Sequence, residues 1–112
     1  MFLFGAPEDT ARLYVEQAAA SGGRGLKDLH YEDLELQELQ DLLIYLRIAY
    51  HRASRDTQDE EVVSAITKWH DEVFLLLLEA MDDFRTLVCS RIHKPIGDWN
   101  KYHKLAGCGS AN

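Results

Sequence analysis

The sequence is poor in proline and cysteine, the two residue types that most constrain a small fold. Pro7 and Pro95 are the two prolines among 112 residues, so the middle of the chain lacks the residue that most reliably interrupts a helix. Cys89 and Cys108 are the two cysteines, too few for the dense disulfide framework of a small secreted scaffold. We therefore expect reduced thiols, with Cys89 buried as a small apolar side chain, and a cytoplasmic protein.

Long apolar segments are also missing. The longest unbroken apolar run covers six residues, 73–78, whereas a helix that spans a membrane needs about 20. Residues 1–4 are apolar, but they lack the basic flank and the length of a signal peptide. We expect neither secretion nor contact with a membrane.

Positive charge is scarce and unevenly distributed. Twelve basic side chains stand against nineteen acidic ones, giving a net charge of −7, which disfavours binding to nucleic-acid phosphates. Residues 1–90 contain 8 basic and 18 acidic side chains, whereas residues 91–112 contain 4 and 1. The net charges of these two segments are −10 and +3. We therefore expect no nucleic-acid binding except through the C-terminal tail.

Apolar residues at helical spacing predict three helices. The first begins at Pro7, which suits a first helical turn, and ends at Gly22 or Gly23. The second covers residues 31–53 and shows the clearest alternation of three and four between core positions. The expected core residues of these two helices are Ala11, Tyr14, Val15, Ala18, Leu36, Leu39, Leu43, Leu46 and Tyr50.

The third helix is predicted to be long and unbroken. Thr57 and Glu60 have the spacing of a capping box at its start. The helix should end before Pro95, because the residue before a proline avoids helical backbone angles. Its expected core residues are Val62, Ile66, Trp69, Val73, Leu76, Ala80, Phe84 and Leu87. The short connection at residues 54–56 predicts that the second and third helices form an antiparallel hairpin.

These helices predict an all-α fold, a three-helix bundle with a long antiparallel hairpin, over residues 1–94. Residues 73–78 are apolar on every side of the third helix, which is more surface than one neighbouring helix covers. We therefore expect dimerisation to complete the bundle. A basic aromatic tail follows at residues 95–112.

The tail carries the residues that we predict to bind a partner. Cations alternate there with aromatic rings, as in segments that stack on bases or dock on acidic proteins. The predicted partner-binding residues are Lys94, Trp99, Lys101, Tyr102 and Lys104. Besides docking on a second protein, two alternatives are open: the tail folds back over the acidic helices of its own chain, or it contacts nucleic acid.

Two pairs of carboxylates form a candidate metal site. Glu35 and Glu38 share one helix face, as do Glu79 and Asp82, because each pair is three residues apart. Their Glu-x-x-Glu and Glu-x-x-Asp spacings resemble the motifs of the all-α nucleotide pyrophosphohydrolases. The resemblance implies that the four carboxylates hold Mg²⁺ for hydrolysis of nucleoside triphosphates. The alternative is that these carboxylates belong to ordinary solvated helix faces.

The function favoured by the sequence is that of a non-catalytic protein-interaction module, such as an inhibitor, an adaptor or an immunity-type factor. Nucleophile, phosphate-loop and dinucleotide motifs are absent, whereas surplus apolar surface and strong net charge favour a protein partner and a homo-oligomer. One alternative is the Mg²⁺-dependent pyrophosphohydrolase, which alone implies a cofactor. The other is an acidic mimic of nucleic acid, whose carboxylate rows at residues 32–41 and 56–61 occupy the basic groove of an enzyme that handles nucleic acid.

Overall fold

The computed structural model describes residues 7–20 and 35–108. These two ranges contain five helices and no strands, which confirms the predicted all-α class. The helices are α1 (Pro7–Ala20), α2 (Leu36–Asp56), α3 (Glu60–Ala80), α4 (Asp82–Cys89) and α5 (Trp99–Ala106). The predicted glycine stop of the first helix and the predicted first residues of the second, 31–34, lie outside the described residues.

Helices α1, α2 and α3 pack against one another around the apolar core. Helices α2 and α3 run antiparallel, since Gln40 near the start of α2 donates to the Met81 sulfur, just past the end of α3, at 3.5 Å. The buried apolar residues on these three helices are Ala11, Val15, Leu39, Leu42, Leu43, Leu46, Ala49, Ala53, Val62, Ile66, Trp69, Val73, Phe74 and Leu77. Most of the predicted core positions are among them.

The predicted core differs from the observed one near the helix ends. Leu36, the first residue of α2, is 42% exposed, and Ala80, the last residue of α3, is exposed as well. Leu42 is buried although it lies off the predicted seam. Helix α2 contacts both α1 and α3, so its buried face is wider than a seam shared with a single partner helix.

The predicted capping box at Thr57 is wrong by two residues. Asp59 is the N-cap of α3, and its carboxylate accepts from the Glu61 amide at 3.0 Å. Thr57 instead caps the end of α2, where its amide donates to Ala53 at 3.0 Å. Its hydroxyl oxygen accepts from the Asp59 amide at 3.1 Å. The hydroxyl therefore shapes the connection between the helices, and the more strongly accepting carboxylate caps α3.

The predicted unbroken third helix is interrupted at Met81. This residue has extended backbone angles, φ −133° and ψ 106°, and ends α3 as it begins α4. Asp82 and Asp83 then occupy the first turn of α4, where carboxylates are stabilised by the positive end of the helix dipole. After the break Val88 is buried, in place of the predicted Leu87, which is only half-buried.

The predicted reduced state of the cysteines is also wrong. Cys89, at the end of α4, and Cys108, just past the end of α5, form a disulfide with their Cα atoms 5.4 Å apart. This separation is typical of a disulfide. The turn after α4 and the return of α5 bring together two residues that are 19 positions apart in the sequence.

The described part of the predicted tail, up to residue 108, is folded onto the body. Helix α5 packs on α4, and Tyr102 and Ala106 are buried on its inner face. The tail thus folds back on its own chain, as one of the sequence alternatives proposed. Neither α5 nor any other helix in the two described ranges has the length and apolarity needed to cross a bilayer.

Candidate functional site

An aromatic cluster lies where α5 meets α3 and α4. Phe74 contacts Phe84 and Tyr102 edge to face, with ring centroids 5.2 and 5.0 Å apart. The His70 ring meets Tyr102 in the same way at 5.2 Å. The rings of Phe74, Phe84, His70 and Tyr102 are all buried, and edge-to-face pairs of this kind add to the stability gained by burial alone. The cluster therefore attaches α5 to the rest of the fold.

Asp71 on α3 links this cluster to polar groups of α5. Its Oδ1 accepts the Tyr102 hydroxyl at 2.6 Å, and its Oδ2 accepts the Lys101 ammonium at 2.6 Å. The His70 Nδ1 lies 3.0 Å from the same Oδ1. Burial opposes ionisation of Asp71, but the hydrogen bonds from His70, Lys101 and Tyr102 outweigh it and lower the pKa of the carboxyl to about 2. Asp71 is therefore charged across the physiological pH range.

His70 is fixed in one tautomer by this carboxylate. Because ionised Asp71 can only accept, Nδ1 of His70 carries the proton and donates it. Burial lowers the pKa of His70, against the opposing effect of Asp71, so the ring is neutral and Nε2 bears a lone pair. That Nε2 is buried and has no hydrogen-bond partner among the described residues.

The position of His70 decides what the network can do chemically. A carboxylate that orients a neutral histidine is the arrangement of many general bases. The His70 side chain is 0% exposed, however, and a general base must be within reach of the proton that it abstracts. Burial also raises the pKa of Tyr102, and its hydrogen bond to Asp71 raises it further, so the phenol stays protonated. The network thus holds α5 in place and does not present a reactive group to a substrate.

A second histidine, which is half-buried, lies beside the cluster. The His93 ring contacts Phe84, with centroids 5.0 Å apart. Burial lowers the pKa of His93 to about 4, and the positive charge of Arg47 lowers it further. His93 and His70 are therefore both neutral at pH 7.

The five predicted partner-binding residues occupy different environments. Lys94 and Lys104 are exposed, and Lys101 is exposed while paired with Asp71. Trp99 is half-buried, and the Arg91 guanidinium lies 5.4 Å from the centre of its ring. Tyr102 is 1% exposed. Tyr102 therefore cannot contact a partner in the folded protein, and its predicted role at a partner surface is corrected to an internal one.

The four carboxylates of the pyrophosphohydrolase resemblance do not form a metal site in the described part of the chain. Glu35, Glu79 and Asp82 are exposed, and Glu38 is half-buried. Glu38 Oε1 accepts from the Glu35 amide at 3.1 Å, so this pair belongs to the start of α2. Within residues 7–20 and 35–108 no three His, Cys, Asp or Glu side chains are grouped so that they could hold a metal ion.

A cleft of about 510 Å³ lies beside the connection between α2 and α3. Its lining includes the side chains of Thr57, Asp59 and Glu60. Thr57 and Asp59 already accept backbone hydrogen bonds that shape this connection. The cleft therefore follows from the way the two helices are joined, and it contains no arrangement typical of a catalytic site.

His70 and Asp71 are not among the functional residues that the sequence predicted. One signal for His70 was available, because it lies four residues after Ile66 and four before Phe74, on the buried face of α3. A histidine at such a position needs a polar partner, and Asp71 is its neighbour. Nothing in the sequence identified Tyr102, 31 positions further on, as the second donor to that carboxylate.

Comparisons with protein-family models, with curated proteins and with solved structures found no match for this chain.

Proposed function

We propose that the protein is a non-catalytic protein-interaction module, acting as an inhibitor, an adaptor or an immunity-type factor. Its contact region is the C-terminal surface, which we define by Ile92, Lys94, Trp99 and Lys104. The observation that carries the proposal is the exposure of Ile92. Its exposed fraction, 69%, is the largest among the large apolar side chains of the described residues. An apolar side chain gains from leaving water, so a partner that covers Ile92 is stabilised on this surface.

The backbone around Ile92 is fixed, although the side chain projects into solvent. The amides of Ile92 and His93 both donate to the Leu87 carbonyl, at 2.9 and 3.1 Å. Arg47 donates to the Lys94 carbonyl at 2.9 Å, and Ile96 is buried. A side chain on an ordered backbone loses little conformational freedom on binding. The fixed backbone around Ile92 therefore supports the hypothesis that Ile92 contacts a partner.

The charge of the C-terminal surface indicates the chemistry of the partner. Lys94 and Lys104 are exposed, and Arg91 stacks on Trp99, whereas the chain as a whole has a net charge of −7. Tryptophan and arginine are the residue types enriched where interfaces gain most of their binding energy. A protein with an apolar pocket surrounded by acidic side chains fits this surface.

Affinity capture from cells of the source organism tests the proposal. Tagged wild-type protein should capture a partner that Ile92→Asp loses. Leu75→Asp is the matched control, since Leu75 on α3 is also exposed, at 44%, and lies outside the C-terminal surface. The proposal is wrong if no partner is captured, or if Ile92→Asp captures it as well as Leu75→Asp does.

Charge reversal separates this proposal from the acidic-mimic alternative. Lys94→Glu combined with Lys104→Glu should weaken binding to an acidic partner, and added salt should weaken the wild-type complex as well. If the double variant binds more tightly, the partner is basic and the acidic helices make the contact.

Homodimerisation belongs to the proposal too. The cytoplasmic location predicted from reduced thiols is not part of it, because disulfides such as Cys89–Cys108 are typical of oxidising compartments.

A further inference from the structure

Helix α2 has an apolar stripe on the side opposite its core. Leu46 is fully buried, and Ile44 and Ile48, two residues before and after it, lie about 200° around the helix at 100° per residue. Ile44 and Ile48 are 41% and 38% exposed. They are also one turn apart, so their side chains adjoin each other. This face of α2 therefore exposes a contiguous apolar area away from α1 and α3.

Polar residues continue the same stripe in both directions along α2. The spacing between its members alternates between four and three, which is the spacing of a seam between two paired helices. We call this set the outer stripe of α2. Its residues are Gln37, Asp41, Ile44, Ile48, His51 and Arg55. From the first to the last the outer stripe extends about 27 Å at the helical rise.

The polar residues of the outer stripe are arranged so that they face hydrogen-bonding counterparts, and avoid like charges, in a second copy that runs in the opposite direction. Asp41 lies on the N-terminal side of the two isoleucines, and His51 and Arg55 lie on the C-terminal side. When a second copy of α2 runs in the opposite direction, each Asp41 faces the partner's His51. Ile44 then faces Ile48, and Gln37 faces Arg55. All three pairs are related by one twofold axis, as a symmetric dimer interface requires. A parallel arrangement would place Asp41 against Asp41 and Arg55 against Arg55.

We propose that the outer stripe of α2 pairs antiparallel with the outer stripe of a second copy, forming a twofold-symmetric homodimer. The proposal rests on the homodimerisation included in the proposed function. The residues of the outer stripe differ from those of the C-terminal surface, so the two surfaces are tested by different variants. Each copy contributes two isoleucines, and the contact is therefore smaller than an obligate dimer interface. We expect a dimer that dissociates on dilution.

Sedimentation of the full chain over a range of concentrations tests the surface. Wild-type protein should shift from monomer to dimer as its concentration rises. Ile44→Asp and Ile48→Asp should each weaken association by at least about tenfold, because each places a charge in an apolar contact. Leu75→Asp is the matched control and should dimerise like the wild type, although Leu75 lies in the apolar run 73–78 from which the sequence predicts dimerisation. Loss of association in this variant would place the interface on α3 and overturn the proposal. A wild-type chain that stays monomeric up to about 1 mM overturns the proposal, and so does a dimer that both isoleucine variants retain.

A charge exchange tests the orientation. Asp41→Arg places a cation against His51 of the other copy, and His51→Asp places a carboxylate against Asp41, so each single variant should associate more weakly. The double variant Asp41→Arg/His51→Asp places opposite charges across an antiparallel pair and should recover most of the wild-type association. Without such recovery the antiparallel arrangement is wrong, since in a parallel pair the double variant faces like charges at both positions. Circular dichroism of every variant checks that the fold is retained.

Discussion

Tyr102 on α5 donates its hydroxyl proton to Asp71 on α3 over 2.6 Å, and both side chains also contact the buried ring of His70. The two residues are 31 positions apart, and their hydrogen bond joins the last described helix to the long central one. The same carboxylate accepts from Lys101. Asp71 is therefore the polar centre on which the attachment of α5 depends.

Tyr102→Phe should destabilise the protein by about 1 to 3 kcal/mol. The variant keeps the buried ring and loses one hydrogen bond to an ionised acceptor, which is worth about that much. The measurement is the urea midpoint of unfolding, followed by tryptophan fluorescence. Tyr45→Phe is the control, since Tyr45 is half-buried on α2 and its hydroxyl has no hydrogen bond among the described residues. Equal losses for the two variants would contradict the role of Asp71.

The protein should lose stability on acidification below pH 6.5. His70 and His93 have pKa values below the ordinary 6.5, to about 4 for His93. Below pH 6.5 these two histidines take up protons in the unfolded chain but stay neutral in the folded chain until the pH reaches their lowered pKa values. The free energy of unfolding therefore falls as the pH falls. We expect His93 to lower the free energy of unfolding by about 1 to 2 kcal/mol between pH 6.5 and pH 5, and His70 to lower it further in the same direction.

His93→Phe checks this pH dependence. The variant keeps a ring against Phe84 and removes one titrating group, so its unfolding midpoint should vary less steeply with pH than that of the wild type. A wild-type midpoint that stays constant between pH 7 and pH 5 would exclude the linkage. Asp71 adds a second decrease in the free energy of unfolding at more acidic pH, because its pKa is lowered from 3.8 to about 2. Its contribution is complete above pH 3.8 and disappears as the pH falls towards 2.

Reduction of Cys89–Cys108 should destabilise the fold by about 3 kcal/mol. The disulfide closes a loop whose ends are 19 positions apart, and loops of this length restrict the unfolded chain by about that amount. Unfolding is measured with and without dithiothreitol, and the thiols are counted under both conditions. The double variant Cys89→Ala/Cys108→Ala should be insensitive to the reductant. If the wild type already shows two free thiols when isolated without reductant, the disulfide is not formed.

Arg91, which follows the C-cap Ser90 of α4, has a positive φ of 63°. The Ile92 amide donates to the Leu87 carbonyl, and the Arg91 amide donates to the Val88 carbonyl. This is the hydrogen-bond pattern of a Schellman motif, in which Arg91 occupies the position where glycine is usual. Glycine should relieve about 1 kcal/mol of backbone strain while losing the stacking of Arg91 on Trp99, worth about 0.5 to 1 kcal/mol at an exposed site. Arg91→Gly should therefore be close to neutral.

Arg91→Ala is the comparison for that position. It retains the positive φ and loses the stacking, so it should be less stable than Arg91→Gly by about 1 kcal/mol in chemical unfolding. If the alanine and glycine variants are equally stable, the backbone at residue 91 is not strained.

Much of the helical body could be predicted because the apolar residues of α2 and α3 recur at helical spacing within each helix. Leu39, Leu43 and Leu46 recur at helical spacing, and all three are buried. The predictions failed where long-range contacts competed with local patterns. Nothing local breaks the helix at Met81, but the break coincides with the turn that brings Phe84 against Phe74. The metal interpretation of Glu35 and Glu38 failed because the same spacing also serves the start of a helix.

The sequence by itself determined that the chain is helical, that its charge is divided between an acidic body and a basic C-terminus, and where most of the core of α2 and α3 lies. These properties depend on neighbours within a few turns, which the linear pattern records. Only the tertiary structure decided that Tyr102 faces inward onto Asp71, that Cys89 meets Cys108, and that Ile92 projects from an ordered loop. These three features depend on how the C-terminal part of the chain packs on the helical body. Packing between segments that are distant in the sequence depends on the complementary shapes and the burial of their side chains, which the spacing of residues within one helix does not show. The low number of cysteines predicted free thiols, but the packing of α5 on α4 brings Cys89 and Cys108 together as a disulfide.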